Sequence, residues 1–352
     1  MAALVSLSKP DPALIVLCGP TASGKTALAL ALAARFSGEI VSCDSVAVYR
    51  GMEIGTAKPT LDERARVPHH LIDILTPDQP CTAGDYSRLA REAIAGITQR
   101  RVPYASPGDA WDPRNPTAYT RGARRERHEV LPIVAGGTGL YLRALLDGLF
   151  PAPAIPETLR EPLRARLRAR AQKKGPTHLH HILTRLDPTA AALIHANDTP
   201  KIIRAIKVTL AARRPITQQW QQPRDALTGY QVLRLGLNPP RADLYDRINR
   251  RAYEMFDRGL VEETTQLVET YGFDCRAFTS LGYAQAVAVL RNEITREEAV
   301  ALAAQGHRNY AKRQLTWFRK DPLIHWLPGF GSDGETIAQA KALVANHLAP
   351  LP

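Results

Sequence analysis

The 352-residue sequence lacks the features that would place it in a membrane or among disordered proteins. No apolar run approaches the roughly 20 residues that a membrane-spanning helix requires. Aromatic residues make up only 6% of the chain, yet 45% of it is hydrophobic, which is enough for one large core or two smaller ones. Glycine and proline are too few to indicate collagen-like repeats or wholesale disorder. We therefore expect a folded protein with no membrane segment.

Cysteine is also scarce. The four cysteines (Cys18, Cys43, Cys81 and Cys275) lie far apart, with no CxxC pair and no spacing typical of a metal site. Cys18 and Cys43 fall inside apolar, strand-like runs, where a buried, reduced thiol is expected. The first dozen residues contain Lys9, two prolines and only a brief apolar run, so we expect no secretory signal. These observations favour a reducing, cytoplasmic location.

Acidic residues are outnumbered, since 46 Lys and Arg against 34 Asp and Glu give a net charge of +12. A basic chain can be an ordinary enzyme, but clustered Lys and Arg also bind phosphates and release counterions. Two stretches, 157–174 and 307–320, concentrate these basic residues, and the second interleaves them with Tyr310, Trp317 and Phe318. The alternative for both is a helix with a solvated charged face. We favour RNA binding, with Trp317 buried.

Apolar patterning predicts an α/β core. The predicted strands are 14–17, 39–43, 71–75, 131–135 and 230–237, and the predicted helices are 26–36, 87–98, 157–174 and about 200–212. A polar connector is expected at 218–223. We predict an α/β fold with a parallel sheet, formed by residues 1–149 and 230–352 with C-terminal helices, and interrupted by a helical insertion domain at 150–229.

Residues 104–130 show neither the apolar spacing of a helix nor that of a strand. This stretch contains three prolines and five arginines and separates a predicted helix from a buried strand, where a connection of a few residues is usual. We expect a disordered or surface loop there.

A phosphate-binding motif follows the first predicted strand and opens the first predicted helix. Its residues are Gly19, Pro20, Thr21, Ala22, Ser23, Gly24, Lys25 and Thr26, which match GxxxxGK[ST]. The glycines let the backbone wrap an anion, and the amides and helix N-terminus point positive dipoles at it. Lys25 adds a point charge, and the Thr26 hydroxyl suits a phosphate-bound Mg²⁺. The motif indicates a P-loop core that binds a diphosphate or triphosphate, without saying which.

The placement of acidic residues bears on that choice. A P-loop ATPase needs an acidic residue at the end of a core strand. The strand at 131–135 ends instead in glycines, and Asp73 lies in the middle of its run. Asp44 is best placed, because it follows a strand at the edge where parallel sheets bind ligands. It can be a metal ligand or a general base, and a structural helix cap is the alternative.

At this point a resemblance becomes clear. The sequence resembles the bacterial tRNA dimethylallyltransferase family in the order and spacing of seven segments: GPTASGKT, SCDSVAVYRGMEIGTAKPT, PHHLIDIL, VAGGTGLYLRALLDGL, NDTPKIIRAIKV, SLGYAQA and YAKRQLTWFRK. The resemblance covers nearly the whole chain except 104–130 and the last twenty or so residues, and the insert is not part of the family's pattern. It departs from that pattern at Thr279 and Ala284, where many members carry arginine.

The resemblance implies an activity and a set of catalytic residues. Members transfer a dimethylallyl group from dimethylallyl diphosphate to the exocyclic amine of the adenosine 3′ of the anticodon in tRNA, and they release pyrophosphate. Asp44 resembles the family's general base. Thr21, Lys25 and Arg204, with the loop amides and a Mg²⁺ on Thr26, would stabilise the leaving diphosphate.

It also implies contacts with the anticodon stem-loop of tRNA, whose target adenosine must be flipped into a pocket near Asp44. The residues expected to contact tRNA are Ser45, Val46, Ala47, Thr138, Arg160, Lys201, Ile202, Ile203, Arg204, Gly282, Tyr283, Arg308, Lys312 and Arg313. No protein partner is evident. For Arg204, an exposed charge on a helix is the alternative, which the neighbouring Lys201 and Lys207 favour in the absence of the resemblance.

Three other functions stay open. An enzyme that prenylates free adenine nucleotide needs neither the 150–229 insertion nor the basic C-terminal helix. A P-loop kinase of a small metabolite fits poorly with a strand ending in Gly136, Gly137 and Thr138. A non-catalytic RNA-binding protein has no use for a phosphate loop beside Asp44.

Overall fold

The computed structural model describes residues 11–103, 127–150 and 157–349, and only the backbone at 101–103, 127–128, 157–160 and 176. The chain divides into two compact units. One comprises Met1–Leu145 and Leu227–Pro352, and the other Leu146–Ala226. The sequence analysis placed the corresponding insertion at 150–229.

The strands and helices follow the chain in an alternating order in the first unit. The strands are β1 (Ala13–Cys18), β2 (Gly38–Cys43), β3 (His69–His70), β4 (Arg101–Pro103), β5 (Arg127–Glu129), β6 (Leu131–Gly136), β7 (Gln231–Leu237) and β8 (Ile324–Leu327). Its helices are α1 (Lys25–Phe36), α2 (Leu61–Arg66), α3 (Ala83–Thr98), α4 (Gly139–Leu146), α10 (Arg241–Asp257), α11 (Leu260–Tyr271), α12 (Tyr283–Leu290), α13 (Arg296–Phe318) and α14 (Gly334–Leu348), with a 3₁₀ turn at Arg276–Thr279. The helical unit contains α5 (Glu157–Lys174), α6 (Pro176–Leu186), α7 (Pro188–Leu193), α8 (Thr199–Ala212) and α9 (Ile216–Trp220).

A six-stranded parallel sheet forms the centre of the first unit, in the order β3-β2-β6-β1-β7-β8. The predicted α/β fold with a parallel sheet is confirmed. Because all the strands run the same way, β1, β2 and β6 end at one edge, where Cys18 and Cys43 both align with Gly136. Loops that follow these three strands therefore meet at the carboxyl edge, where parallel sheets bind ligands.

Burial explains why these runs form central strands. Every residue of β2 is buried, as are five of the six residues of β1, and such apolar runs are typical of strands covered on both faces. On one face, Leu28 and Leu32 of α1 pack into a cluster with Ala340 and Val344 of α14. Helices α1 and α14 thus cover this face of the sheet.

Three predictions about local structure are wrong. The strand expected at 71–75 is the short β3 at His69–His70, and left-handed backbone at Leu71 (φ 62°) and Asp73 (φ 57°) prevents its continuation. The loop expected at 104–130 ends earlier, because β5 pairs antiparallel with β4, whereas 104–126 lie outside the described residues. Within the connector expected at 218–223, residues 218–220 belong to α9.

The helical unit has a core of its own. Leu179 and Leu183 of α6 are fully buried with Ile202 and Ile206 of α8. Asp187 is also buried; its carboxylate caps α7 by accepting from the Ala190 amide at 3.0 Å and accepts from the Thr217 amide at 2.9 Å. A buried carboxylate needs hydrogen-bond partners, and because Asp187 finds them in both helices it connects α9 to α7.

No helix among the described residues is long and apolar enough to cross a bilayer.

Candidate active site

A cavity of about 440 Å³ lies at the carboxyl edge of the sheet. Its walls come from the phosphate loop, the loop after β2, the segment 56–59, the turn after β6, and helices α10 and α13. The structure thereby brings together Thr21, Lys25, Thr26 and Asp44, four of the residues predicted to form the site. All of these walls belong to the first unit.

The phosphate loop has the backbone geometry that its glycines permit. Gly24, at φ 87°, opens α1 in a left-handed conformation, and a Cβ there would lie 2.9 Å from the Gly331 amide nitrogen. The Gly331 amide donates to the Ser23 carbonyl at 2.9 Å, so a C-terminal loop packs against the phosphate loop. Since the first amides of α1, at Lys25 and Thr26, have no partner within the helix, they are available to an anion.

Lys25 is held inside this loop. Its ammonium donates to the carbonyl oxygens of Pro20 at 2.7 Å and Gly19 at 3.1 Å. Burial lowers the pKa of Lys25 to about 8, with Arg251 also lowering it and Asp44 opposing the shift. The lysine is therefore positioned for a phosphate, and its ammonium loses its proton more readily than that of an exposed lysine.

Asp44 stands where the sequence placed it, directly after β2. Its Oδ1 accepts from the backbone amides of Val46 at 2.8 Å and Ala47 at 3.2 Å. Among the described residues no hydrogen bond reaches Oδ2, which leaves that oxygen for a ligand in the cavity. The arrangement resembles a cap, but the segment that follows is a turn rather than a helix.

Three arginines of α10 that the sequence analysis missed line the cavity: Arg247, Arg250 and Arg251. Their spacing of i, i+3 and i+4 puts them on one helix face. This spacing, in a helix that follows a predicted strand, was the signal in the sequence that could have predicted a second group of phosphate-binding residues. The Nη2 atom of Arg251 lies 3.4 Å from the Thr56 carbonyl oxygen, and its Nε is buried with no hydrogen-bond partner among the described residues. An anion in the cavity can satisfy that donor.

Helix α13 supplies two further lining residues that were not predicted, Tyr310 and Gln314. Burial raises the pKa of Tyr310 to about 12, so its phenol stays protonated. Next to them, burial and the nearby Arg251 lower the pKa of His307 to about 4. His307 is therefore neutral beside the arginines.

Asp73 is not free to bind a metal. Its Oδ1 accepts from Lys58 and its Oδ2 from Arg64, each at 2.5 Å, and the Lys58 side chain is only 1% exposed. Partial burial raises the pKa of Asp73, but the bonds from Lys58 and Arg64 outweigh this and lower it. This ion-pair cluster braces residues 56–59, which form one wall of the cavity.

The residues predicted to surround the flipped adenosine lie around Asp44. Ala47 lines the cavity, and Val46 packs partly buried against the core of helices α10 to α13. The Ser45 amide donates to the Thr138 hydroxyl oxygen at 3.1 Å, which joins the loop after β2 to the turn after β6. Their contacts with tRNA stay predictions.

Four of the residues predicted to contact tRNA are buried in the structure, and their contacts with tRNA stay predictions. Tyr283 is fully buried, and its hydroxyl donates to Glu263 at 2.6 Å. Gly282 is buried beside it, within the core of the first unit. Ile202 and Ile203 are 0% and 6% exposed within the core of the helical unit, where they hold α8 in place.

The basic face of α13 is only partly as predicted. Lys312 and Arg313 are exposed, but Arg308 donates to Asn249 and Gln305 and is partly buried. Trp317 is 41% exposed, so its predicted burial is wrong. Its indole packs against Gly139, where a Cβ would lie 2.4 Å from the ring.

The remaining predicted residues belong to the helical unit. Lys201 and Arg204 are exposed on α8, and Lys201 pairs with Asp198 at 2.5 Å. Arg160 lies in α5, and its side chain is outside the described residues. The catalytic role of Arg204 and the tRNA contacts of all three stay predictions.

Two family models match this chain. The family model described as "IPP transferase" matches residues 47–104 and 116–321, and that described as "Isopentenyl transferase" matches residues 12–71. The first match includes 116–130, so the prediction that all of 104–130 lies outside the family's pattern is wrong; the match is interrupted only at 105–115.

Whole-chain relatives carry related names. A tRNA dimethylallyltransferase of Koribacter versatilis is 55% identical over 334 residues, which cover 95% of this chain and 98% of the relative. The crystal structure of a tRNA isopentenylpyrophosphate transferase from Bacillus halodurans matches with a TM-score of 0.64 at 34% identity and covers 96% of each chain. A eukaryotic dimethylallyltransferase crystallised while acting on tRNA matches with a TM-score of 0.72, covering 95% of this chain and 79% of that one. At its 22% identity the likeness concerns the fold alone.

Proposed function

The chain belongs to the tRNA dimethylallyltransferase family, and we propose that it transfers a dimethylallyl group from dimethylallyl diphosphate to the exocyclic amine of the adenosine 3′ of the anticodon in tRNA. Pyrophosphate is the other product. The observation that carries the proposal is the placement of Asp44 and the phosphate loop on the walls of one cavity. That arrangement puts a proton acceptor beside a bound diphosphate.

The donor fits the two kinds of wall in the cavity. Its diphosphate lies against the loop amides, Lys25 and the arginines of α10, which together offer fixed positive charge. Its short, branched hydrocarbon tail needs an apolar surface, and the apolar lining residues include Ala29, Ile40, Ala47, Ala57, Ile72 and Ala135.

Mg²⁺ is the cofactor we propose. Magnesium is usually held by few protein ligands, together with phosphate oxygens and waters. The described residues contain no cluster of three or more His, Cys, Asp or Glu, but the Thr26 hydroxyl lies on the cavity wall at the N-terminus of α1. This single hard oxygen suits an ion bound mainly by the diphosphate. When bound, Mg²⁺ supplies positive charge to the leaving diphosphate.

The carboxylate of Asp44 acts as the general base. The lone pair of an adenine amine is delocalised into the ring, so the amine attacks carbon well only as its proton is removed. Because Oδ1 is held by two backbone amides, Oδ2 is oriented to accept that proton. The proton moves from the amine to Asp44 as the new carbon–nitrogen bond forms.

The cationic wall acts on the leaving group. Negative charge develops on the diphosphate as its bond to carbon breaks, and fixed donors that meet this charge lower the barrier. Lys25, Thr21, Arg247 and Arg251 are placed to do so. Arg204, which lies in the helical unit, remains a proposed contributor on the basis of the family's pattern.

The acceptor is the anticodon stem-loop of tRNA, and the target adenosine leaves its stack to reach Asp44. Lys312 and Arg313 on α13, and Lys201 and Arg204 on α8, are exposed cations suited to RNA phosphates. The expected cytoplasmic location agrees with four free cysteines, two of which are buried.

One experiment tests the function against its alternatives. Labelled dimethylallyl diphosphate is offered with undermodified tRNA, with free AMP, or with neither, while ATP turnover is measured in parallel. Label in tRNA alone is the expected result. Label in AMP would favour the free-nucleotide enzyme, stoichiometric ADP would favour a kinase, and tRNA binding without any transfer would favour a binding protein.

A further inference from the structure

One buried side chain, Gln314 of α13, joins two loops of the active site that are far apart in sequence. Its Oε1 accepts from the backbone amide of Thr21 in the phosphate loop at 2.8 Å. Its Nε2 donates to the carbonyl oxygen of Gly137, in the turn after β6, also at 2.8 Å. Gln314 is only 5% exposed, and both ends of its amide are satisfied.

The turn after β6, which Gln314 holds, also makes hydrogen bonds to the residues on both sides of Asp44. The Thr138 amide donates to the Cys43 carbonyl oxygen at 3.2 Å, and the Thr138 hydroxyl oxygen accepts from the Ser45 amide at 3.1 Å. A continuous set of hydrogen bonds therefore runs from the phosphate loop through Gln314 to the residues that flank Asp44. Gln314 is the side chain in this set that comes from neither loop.

Close packing leaves little freedom in this arrangement. A Cβ on Gly137 would lie 2.2 Å from the Gln314 Nε2 atom, and one on Gly139 would lie 2.4 Å from the Trp317 ring. Because Gln314 and Trp317 are three residues apart, α13 presses one face directly onto the glycine-rich turn. The Gln314 side chain therefore fills the space against Gly137, where no other side chain could fit.

We propose that Gln314 is a positioning residue for prenyl transfer: it fixes the separation between the diphosphate on the phosphate loop and the carboxylate of Asp44. The proposal rests on the proposed function. Its physical reason is that reacting groups must be aligned closely, since a misplacement of about 1 Å can slow a reaction by about 10²-fold. Neither loop loses a ligand-binding group when Gln314 changes, so the rate of transfer should suffer more than substrate affinity.

The test compares Gln314→Glu with Gln314→Met over a range of pH. A protonated carboxyl in this buried position can accept from Thr21 and donate to Gly137, as the amide does, whereas an ionised one cannot donate. We expect the single-turnover rate of the Glu variant, relative to wild type, to be about 10- to 100-fold low at pH 8 and to rise as the pH falls. The Met variant has a similar shape but neither hydrogen bond, so its ratio to wild type should be low at every pH.

In both Gln314 variants, the KM for the donor and the KM for tRNA should stay within a few-fold of wild type. Wild-type transfer to tRNA under the same conditions separates a failure of this proposal from a failure of the proposed function. A folded Met variant with the wild-type rate, a folded Glu variant without recovery at low pH, or a loss confined to KM would each overturn the role of Gln314.

A second variant covers the case in which neither replacement folds. Thr138→Val breaks the next link of the set, the bond from the Ser45 amide, without touching the buried amide. It should lower the single-turnover rate and leave the donor's KM unchanged. An unchanged rate in Thr138→Val would overturn the proposed linkage between the two loops.

Discussion

The ammonium nitrogen of Lys25 lies 2.7 Å from the carbonyl oxygen of Pro20, so the phosphate loop holds its own lysine in place through a backbone carbonyl. Burial leaves that ammonium with a pKa of about 8, well below the value of an exposed lysine. A bound diphosphate favours the charged form and must raise this pKa again. Donor binding and protonation of Lys25 are therefore linked.

This linkage predicts how donor affinity depends on pH. Above pH 8 the free protein loses the Lys25 proton, and binding must take one up, so affinity should fall by up to about 10-fold per pH unit. Calorimetry in buffers of different ionisation enthalpy measures the proton uptake directly. Lys25→Arg is the control, because a guanidinium does not titrate in this range and its affinity should be flat. Constant wild-type affinity from pH 7 to pH 9.5, with no proton uptake, would show that Lys25 keeps its proton in the free protein and that donor binding is not linked to its titration.

Replacing the proposed general base should separate catalysis from binding. Asp44→Asn keeps an oxygen that accepts from the Val46 and Ala47 amides, so the loop should retain its shape. Turnover should drop by about 10²- to 10⁴-fold, which is the usual contribution of a general base. Affinity for donor and tRNA should change little.

The matched control for Asp44 is Asp73→Asn in the same cavity region. Asp73 pairs with Lys58 and Arg64, so its loss should lower the free energy of unfolding more than the turnover of the folded enzyme. If Asp44→Asn instead turns over within a few-fold of wild type, Asp44 has no part in proton transfer.

The arginines of α10 should matter for the diphosphate. Hydrogen bonds to charged groups contribute about 1.5–3 kcal/mol each, so Arg247→Ala or Arg251→Ala should weaken pyrophosphate binding by about 10-fold or more. Equilibrium binding of pyrophosphate measures this without any turnover. Arg258→Ala, at the exposed C-terminal end of the same helix, should bind pyrophosphate as wild type does. Equal effects at all three positions would indicate only a loss of overall positive charge.

The features that could be predicted from the sequence are those whose residues lie close together along the chain. The phosphate loop and Asp44 were found because each follows an apolar strand directly, and parallel strands end at one edge. The arginines of α10 and Gln314 lie some 200 to 300 residues after the phosphate loop in the sequence. Gln314, for example, is 293 residues from its hydrogen-bond partner Thr21. Local periodicity shows that they share a helix face but not which surface that face meets.

Burial was the second property that single-sequence reasoning missed. Tyr283 and Ile202 stand in segments that match the family's pattern, and a matching segment contains residues that support a site as well as residues that touch its ligand. Trp317 shows the converse, since an aromatic in an amphipathic helix was expected inside and is 41% exposed. Its ring packs on Gly139 in the turn after β6, a contact that the local pattern does not show.

The exposed cations of α13 should account for part of the salt dependence of tRNA binding. Replacing Lys312 and Arg313 together by Ala should weaken binding and flatten the plot of log affinity against log salt, by up to about one unit per lost phosphate contact. Filter binding at several salt concentrations gives that slope. Arg258→Ala combined with Lys341→Ala removes the same charge from other helices and should leave the slope nearly unchanged. An unaltered slope in the first variant would mean that this face of α13 meets only solvent.

The last prediction concerns Tyr283, which the sequence analysis assigned to tRNA and the structure places in the core. Its hydroxyl donates to Glu263 at 2.6 Å, and Glu263 also accepts from the backbone amides of Glu53 and Ile54 at 3.1 and 2.9 Å. Burial raises the pKa of Tyr283, so the hydroxyl keeps its proton and remains a donor at neutral pH. The Tyr283 ring also packs against Gly55, where a Cβ would lie 2.4 Å from it. Tyr283 therefore supports the segment that leads into the 56–59 wall of the cavity.

Tyr283→Phe keeps the ring and removes only the donor. Loss of a buried hydrogen bond to a carboxylate should lower the free energy of unfolding by about 1.5–3 kcal/mol, as measured by urea denaturation. The affinity of the folded protein for tRNA should be unchanged, because the removed hydroxyl is not accessible to RNA. Tyr253→Phe is the control, since Tyr253 is 61% exposed and its hydroxyl can bond to water in both states. Weaker tRNA binding by Tyr283→Phe at wild-type stability would instead restore the direct contact that the resemblance implied.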